Sequence, residues 1–216
     1  MGVVDLEALL AEVSSASPCG ESMEYDPAFG QMERAAQGKP EQQYGDTLIP
    51  AEEPNWGDVK RAATELLGRT KDLRVAVYLI RSLLRTDGFA GFADGLELLL
   101  GFLERYWDGV HPQLDPEDDN DPTLRVNTIA SLCDAESVLR AVREAPLVRS
   151  PALGRYSLRD VQLASGVLPA PAGVAPPDSG AVEAAFLGGD LEALQGTAQD
   201  LRRSLASLGA IETLLT

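Results

Sequence analysis

The sequence predicts an all-α fold: a multi-helix, antiparallel bundle-like domain with one small β-hairpin near residues 147–158. Apolar residues recur at the i, i+3, i+4 spacing of a helix face along most of the chain. Aspartate or asparagine stands before several of these stripes, where its side chain can cap the free N–H groups of a helix N-terminus. Apolar residues make up 44% of the 216 residues, which is enough to bury a core.

Charge and composition argue against several classes of function. A net charge of −16 repels phosphate backbones and anionic lipid, so neither nucleic acid nor a membrane surface is expected as a partner. The sequence has no apolar run of the ~18 residues that span a bilayer and no recognisable secretory signal, so we expect no membrane insertion and a cytoplasmic location. Cys19 and Cys133 lie far apart without a Cys-x-x-Cys pattern, so no disulfide framework or zinc site is predicted.

The first part of the chain predicts helices with defined starts. A short apolar helix ends in a Ser-, Pro- and Gly-containing break at residues 14–20. Asp26 and Pro27 start the next helix, because aspartate caps it and proline at the first position has no N–H to leave unpaired. Residues 38–54 predict a long loop, of a kind that is often functional or mobile. Asn55 is predicted to cap the helix after this loop.

The middle of the chain predicts two consecutive helices separated by a turn at residues 87–88. The first has a clear apolar stripe, and its other face carries Arg74, Arg81 and Arg85. We interpret these arginines as a solvated face that could pair with the acidic loop at residues 115–121. The second helix is apolar around much of its circumference, so we expect it to be central, and it runs into an aromatic pair at residues 106–107.

The most distinctive stretch, residues 103–132, reads as a helix, an acidic loop and a second helix. Five acids lie within seven residues of this loop: Asp115, Glu117, Asp118, Asp119 and Asp121. A calcium-binding EF-hand starting at Asp115 would need glycine at its sixth position and glutamate at its twelfth, but Asn120 and Val126 stand there. A solvated loop whose Asp121 caps the next helix is therefore favoured. We expect that helix to bury Val126 and Ile129, with Ala130 and Cys133.

His111 is the single histidine of the chain and precedes the acidic loop. No partner that would orient its ring as a general base is evident in the sequence, so we interpret it as structural, at a helix end or stacked on Trp107. The alternative is a calcium-binding or hydrolytic domain that uses His111 and the acids of residues 115–121.

The last third of the chain predicts the hairpin, a capping box at Ser157–Asp160 and a final helix. We expect three regions: a helical domain at 1–166, a Pro/Ala/Gly-rich linker at 167–180, and a helical segment at 181–216 that begins a following region of a longer protein. The final helix has a heptad-like stripe, which suits packing against the first domain or a second copy. Its members are Leu191, Leu194, Ala198, Leu201, Leu205 and Leu208.

Four segments in the same order resemble the ImpA N-terminal domain, with which the TssA subunits of bacterial type VI secretion systems begin. They are PCGESMEYDPAF (18–29), GKPEQQYGDTLIPAEEPNW (38–56), TKDLRVAVYLIRSLLRTDGFAG (70–91) and LERYWDGVHPQLDPEDDNDPTLRVNTIASL (103–132).

The resemblance implies a non-enzymatic assembly factor without a cofactor, a metal or catalytic residues. It implies contacts with the baseplate, the contractile sheath and the Hcp tube, and a homo-oligomeric ring built by a C-terminal region absent from this chain. Within this family reading, we hypothesise that the loop around Tyr44 and the acids Glu117, Asp118 and Asp119 form a partner-binding surface.

Overall fold

The computed structural model describes residues 2–38, 42–44, 47–50 and 53–216. These residues form a mainly helical fold with two small antiparallel hairpins, which confirms the predicted fold class. The helices are α1 (Leu6–Leu10), α2 (Pro27–Gln37), α3 (Trp56–Leu67), α4 (Leu73–Tyr106), α5 (Thr123–Ala130), α6 (Arg140–Glu144), α7 (Leu158–Ala164), α8 (Ser179–Leu187) and α9 (Leu191–Leu215). The strands are β1 (Gln42–Tyr44), β2 (Thr47–Ile49), β3 (Pro146–Ser150) and β4 (Gly154–Ser157). Short 3-10 turns lie at Pro116–Asp118 and Ser131–Cys133, and a π turn lies at Ala135–Leu139.

The predicted helix starts are confirmed at the atomic level. The side chain of Asp26 accepts a hydrogen bond from the backbone N–H of Ala28 at 2.8 Å, with Pro27 in the first position of α2. Asn55 caps α3 in the same way, and Asp72 caps α4. Each cap satisfies N–H groups that have no partner within the helix, so each fixes where its helix begins.

Helix α4 is the centre of the fold, as its apolar circumference predicts. It packs against α3 on one side and α9 on another, and α2 packs on α3. Its fully buried residues include Leu79, Ile80, Leu83, Leu96, Leu99 and Phe102. The predicted turn at residues 87–88 is a kink within this long element, because Gly88 has φ 68° and ψ −145°.

The kink gives a direct test of backbone strain. Replacing Gly88 with alanine is expected to cost about 1–3 kcal/mol of unfolding free energy, because L residues rarely adopt this conformation. A Cβ there would meet nothing within 4 Å, so the cost comes from the backbone and not from a clash. Chemical denaturation measures it. Gly209→Ala in α9 is the control: it also has open space, and we expect it to raise stability by up to about 1 kcal/mol. A neutral Gly88→Ala would contradict the assigned strain.

The region from Gly38 to Pro54 departs from the predicted loop where the structure describes it. Strands β1 and β2 pair antiparallel, with Gln43 opposite Leu48. The prediction of a segment without secondary structure is therefore wrong for these residues. The β-branched Thr47 and Ile49 favour extended backbone, a preference that the surrounding glycines and prolines obscured.

The second hairpin and the capping box are both confirmed. Strands β3 and β4 pair antiparallel, and Ser157 at the end of β4 caps α7. The Ser157 backbone N–H donates to Asp160 Oδ2 at 2.8 Å, and the Asp160 backbone N–H donates to Ser157 Oγ at 3.3 Å. Helix α8 follows, with Asp178 as its cap, and lies largely within the predicted helical segment 181–216.

Helix α9 folds back along α4, but not through its leucine stripe. Ser204, Ser207 and Ile211 form its buried face. The stripe is therefore not the face that packs on the first domain, and Arg203 beside the buried face reaches the acids of α4. Pairing of the stripe with a second copy stays a prediction. The stripe residues left exposed are Leu191, Leu201, Leu205 and Leu208.

Candidate interaction surface

The corner between α4 and α5 is built from the aromatic pair outward. The Tyr106 hydroxyl donates to the Leu10 backbone oxygen at 2.7 Å and so ties the end of α4 to α1. Trp107 packs against the core from the side of the turn. The chain then passes through a cis peptide bond between His111 and Pro112 before it reaches the acidic loop.

Arg125 holds this corner together from inside. It is 1% exposed, and its guanidinium donates to the backbone oxygens of Pro112 at 2.7 Å and Val110 at 2.6 Å, and also to that of Trp107. The same group lies 4.9 Å from the centre of the Trp107 ring. Burial lowers the pKa of Arg125, and the nearby carboxylate of Asp108 opposes that shift. Because its N–H groups donate to three backbone carbonyl oxygens of the turn, Arg125 fixes the path of the turn.

Sequence reasoning missed Arg125 because it placed the buried face of α5 one residue away. Val126 is 36% exposed, and Ala130 and Cys133 are also exposed, so that part of the prediction is wrong. Arg125, Ile129 and Leu132 form the buried face instead. Their i, i+4, i+7 spacing was present in the sequence, but an arginine in such a stripe is usually assigned to solvent.

His111 joins the corner to the core. It is 4% exposed, its backbone N–H donates to the Lys71 oxygen at 2.9 Å, and its own oxygen accepts from Leu73 at 2.8 Å. Its ring Nε2 lies 3.2 Å from the Gly20 backbone oxygen. Arg125, and not His111, covers the face of Trp107. The hydrolase alternative needs His111 beside the acids at a water-accessible site, whereas its ring is buried against backbone.

The acidic loop is exposed, and its own side chains hold its shape. Asp115 accepts from the Glu117 backbone N–H at 2.8 Å. Asp121 accepts from the Thr123 backbone N–H at 3.0 Å and hydroxyl at 2.7 Å, and these bonds lower the pKa of Asp121. Asp119 leaves the turn with a left-handed φ of 51°. Both ends of the loop are therefore capped, and the acids between them face solvent.

The arginine face of α4 does not neutralise this loop, so the suggested pairing is wrong. Arg74 binds Asp72 at 2.8 Å and Glu24 at 3.0 Å. The guanidinium groups of Arg81 and Arg85 stack instead on the ring of Trp56, at 5.5 and 5.2 Å from its centre.

The described parts of the chain contain no group of three or more His, Cys, Asp or Glu residues placed to hold a metal ion. The calcium alternative therefore has no ligand set there. The loop acids Glu117 and Asp118 share one turn with Asp119 at its exit. Tyr44, the other residue of the hypothesised surface, lies on a separate hairpin as the last residue of β1, where it pairs with Thr47.

The fold and this corner define a helical domain of a known class. A family model described as "ImpA, N-terminal, type VI secretion system" matches residues 10–134. The chain belongs to this family, which confirms the resemblance seen in the sequence. No helix among the described residues has both the length and the apolar character needed to cross a membrane.

Two relatives agree with this assignment. The type VI secretion system component TssA1 of Pseudomonas aeruginosa is 46% identical over 211 residues, a match that covers 98% of this chain and 60% of TssA1. The chain thus spans less than two thirds of the length of that relative. A solved structure of the N-terminal domain, including the conserved ImpA_N region, of the TssA component from Burkholderia cenocepacia superposes with a TM-score of 0.75. It is 27% identical, and the match covers 98% of this chain and 82% of that one.

Proposed function

We propose that this chain is a non-enzymatic interaction domain of a type VI secretion assembly component. In this proposal it works in the bacterial cytoplasm and contacts baseplate, contractile sheath or Hcp tube proteins while the tail is built. Family membership and the 46% identity to TssA1 support the role in the secretion system. Self-association into a homo-oligomer belongs to the same proposal, as does the division into regions 1–166, 167–180 and 181–216.

The acidic loop is the observation that carries the proposal. Glu117, Asp118 and Asp119 are exposed, and the described residues make no ion pair with them. The buried guanidinium of Arg125 fixes the turn that leads into this loop. A preformed surface loses little conformational entropy on binding, and its negative charge accelerates encounter with a basic partner. Tyr44 on β1 is proposed as a second part of the surface.

A triple substitution tests the surface. We expect Glu117→Ala, Asp118→Ala and Asp119→Ala together to weaken binding to one of the three components by about tenfold at low salt, with a smaller effect at high salt. Purified baseplate, sheath and Hcp proteins provide the pull-down partners, and titration calorimetry gives the affinities. The helices should be unaffected, because none of these side chains caps one; alanine at the left-handed position 119 is expected to cost no more than about 1 kcal/mol within the loop.

The control carries the same change of charge elsewhere. Glu183→Ala, Glu192→Ala and Glu212→Ala together remove three exposed acids from α8 and α9. Equal weakening of binding in both triple variants would mean that net charge alone causes the effect. Full binding by the loop variant would mean that the acidic loop is not the binding surface. If the unaltered chain bound none of the three components, the proposed function itself would be refuted.

A further inference from the structure

A cleft lined by arginines lies between the part of α4 that precedes Gly88 and the elements α6, β4 and α7. It consists of two adjoining recesses, of about 490 and 480 Å³, which share Glu144 and Arg159 in their walls. We call this feature the arginine cleft, after the five arginines that line it: Arg85, Arg140, Arg143, Arg155 and Arg159. Such a concentration of positive charge is unexpected on a chain with a net charge of −16.

The acids of the arginine cleft do not neutralise it. Glu144 receives Arg140 at 2.9 Å and Arg159 at 3.9 Å. The carboxylate of Asp160 already accepts the capping bonds from Ser157. Glu136 is the remaining acid in its walls.

Two of the arginines in the cleft are left without a counter-charge. Arg143 and Arg155 form no ion pair within the described parts of the chain, and both are exposed.

The hairpin adds a second, independent concentration of positive charge at the edge of the cleft. Arg149 on β3 stands directly opposite Arg155 on β4 in the ladder. Like charges in this position destabilise a strand pair. At the other end of the cleft, burial lowers the pKa of Arg85 and the repulsion of Arg81 and Arg140 adds to the shift, while the carboxylates of Glu144 and Glu53 oppose it. A bound anion would relieve the repulsion at both ends.

The shape and lining of the cleft indicate which anion fits. Its arginines come from several elements and extend along two recesses, so they match a row of charges and not a single phosphate. Apolar groups lie between them: Leu84, Ala141, Ala145, Pro146, Val167 and Leu168. Guanidinium forks bind carboxylates through paired hydrogen bonds. A nucleic acid would extend beyond the cleft over the acidic remainder of the surface, whereas a short acidic segment lies within the cleft.

We propose that the arginine cleft is a docking site for an acidic peptide segment of a protein partner, in which carboxylates alternate with apolar side chains. This surface differs from the acidic loop in position and in the sign of its charge, so it goes beyond the function proposed above. A domain with both surfaces can hold two different partners at once.

The test uses a defined probe and the whole chain. A fluorescein-labelled peptide of four Glu-Glu-Leu repeats is titrated with the protein, and fluorescence anisotropy reports binding at low salt. We expect saturable binding that Arg143→Glu with Arg155→Glu weakens at least about tenfold. The matched control, Arg105→Glu with Arg202→Glu, makes the same change of charge at two other exposed arginines and should stay within about twofold of the unaltered chain. Thermal melts confirm that both variants fold.

Four outcomes would overturn the proposal: no saturable binding to the unaltered chain, equal weakening in both variants, displacement of the peptide by inorganic triphosphate at lower concentration than by unlabelled peptide, or loss of a dimer in light scattering of the cleft variant. The third would assign the cleft to a phosphate ligand and the fourth to a second copy. The acidic-loop triple variant should bind the peptide normally, so the two proposals can fail separately.

Discussion

Replacing Arg125 with alanine is expected to destabilise the protein by about 3–5 kcal/mol, because three carbonyl oxygens lose their donor and a large buried side chain is removed. The guanidinium donates to the backbone oxygens of Trp107, Val110 and Pro112, and it is 1% exposed. Alanine would leave these carbonyl groups without donors and open a cavity beside Trp107. Chemical denaturation monitored by tryptophan fluorescence measures the loss.

Two further variants separate the causes. Arg125→Lys keeps the charge, but one ammonium on a flexible stem cannot match the fork that meets three oxygens, so we expect it to recover less than half of the loss. Arg105→Ala removes an exposed arginine near the end of α4 and should change stability by no more than about 0.5 kcal/mol. If Arg125→Ala matched Arg105→Ala, the assigned role of Arg125 would be incorrect.

Replacing Arg203 with alanine is expected to cost about 2–3 kcal/mol and to loosen α9. Arg203 donates to Asp94 Oδ1 at 2.7 Å and to both carboxylate oxygens of Glu97, at 2.8 and 2.9 Å. These carboxylates raise the pKa of Arg203, with the bonds to Glu97 contributing most. Asp94 is 1% exposed, so its charge would remain buried with backbone N–H donors but no counter-ion. Part of the Arg203 side chain is open to water, which keeps the expected cost below that of Arg125.

Hydrogen exchange and a double-substitution cycle test this contact. Exchange should accelerate along α9 in Arg203→Ala but not in Arg202→Ala, which removes the exposed neighbour. Adding Asp94→Asn to Arg203→Ala removes the buried charge and should restore part of the lost stability, giving a coupling energy of at least about 1 kcal/mol. Additive effects of the two substitutions would mean that the ion pair does not hold α9 in place.

Short-range features of the fold could be predicted from the sequence. Asp26, Asn55 and Asp72 each act on a backbone N–H two or three residues away, so the local sequence contains both partners of the bond. The Ser157–Asp160 box and the turn at Gly88 are local in the same sense. The four segments that resemble the family also occur in the same order along the chain as in the family, which made the family recognisable.

Long-range side-chain partners could not be predicted. Arg203 meets Asp94 across 109 residues, and a basic residue on an amphipathic helix is ordinarily assigned to solvent. That bond turns Ser204 and Ser207 inward and leaves leucines outside, against the hydrophobic pattern. The exposed acidic loop was found because its charge is continuous in sequence. The arginine cleft was missed because its arginines come from separate elements.

The two partners of the Asp94 carboxylate become available at different times during synthesis. Its Oδ2 accepts a hydrogen bond from the Val3 backbone N–H at 2.5 Å. Its Oδ1 accepts one from Arg203, which lies 109 residues later in the chain. Asp94 is synthesised 109 residues before Arg203, so a nascent α4 carries this carboxylate without its guanidinium partner. Helix α9 therefore closes over α4 only after Arg203 has been synthesised, and a chain cut before α9 would leave this acidic face of α4 open.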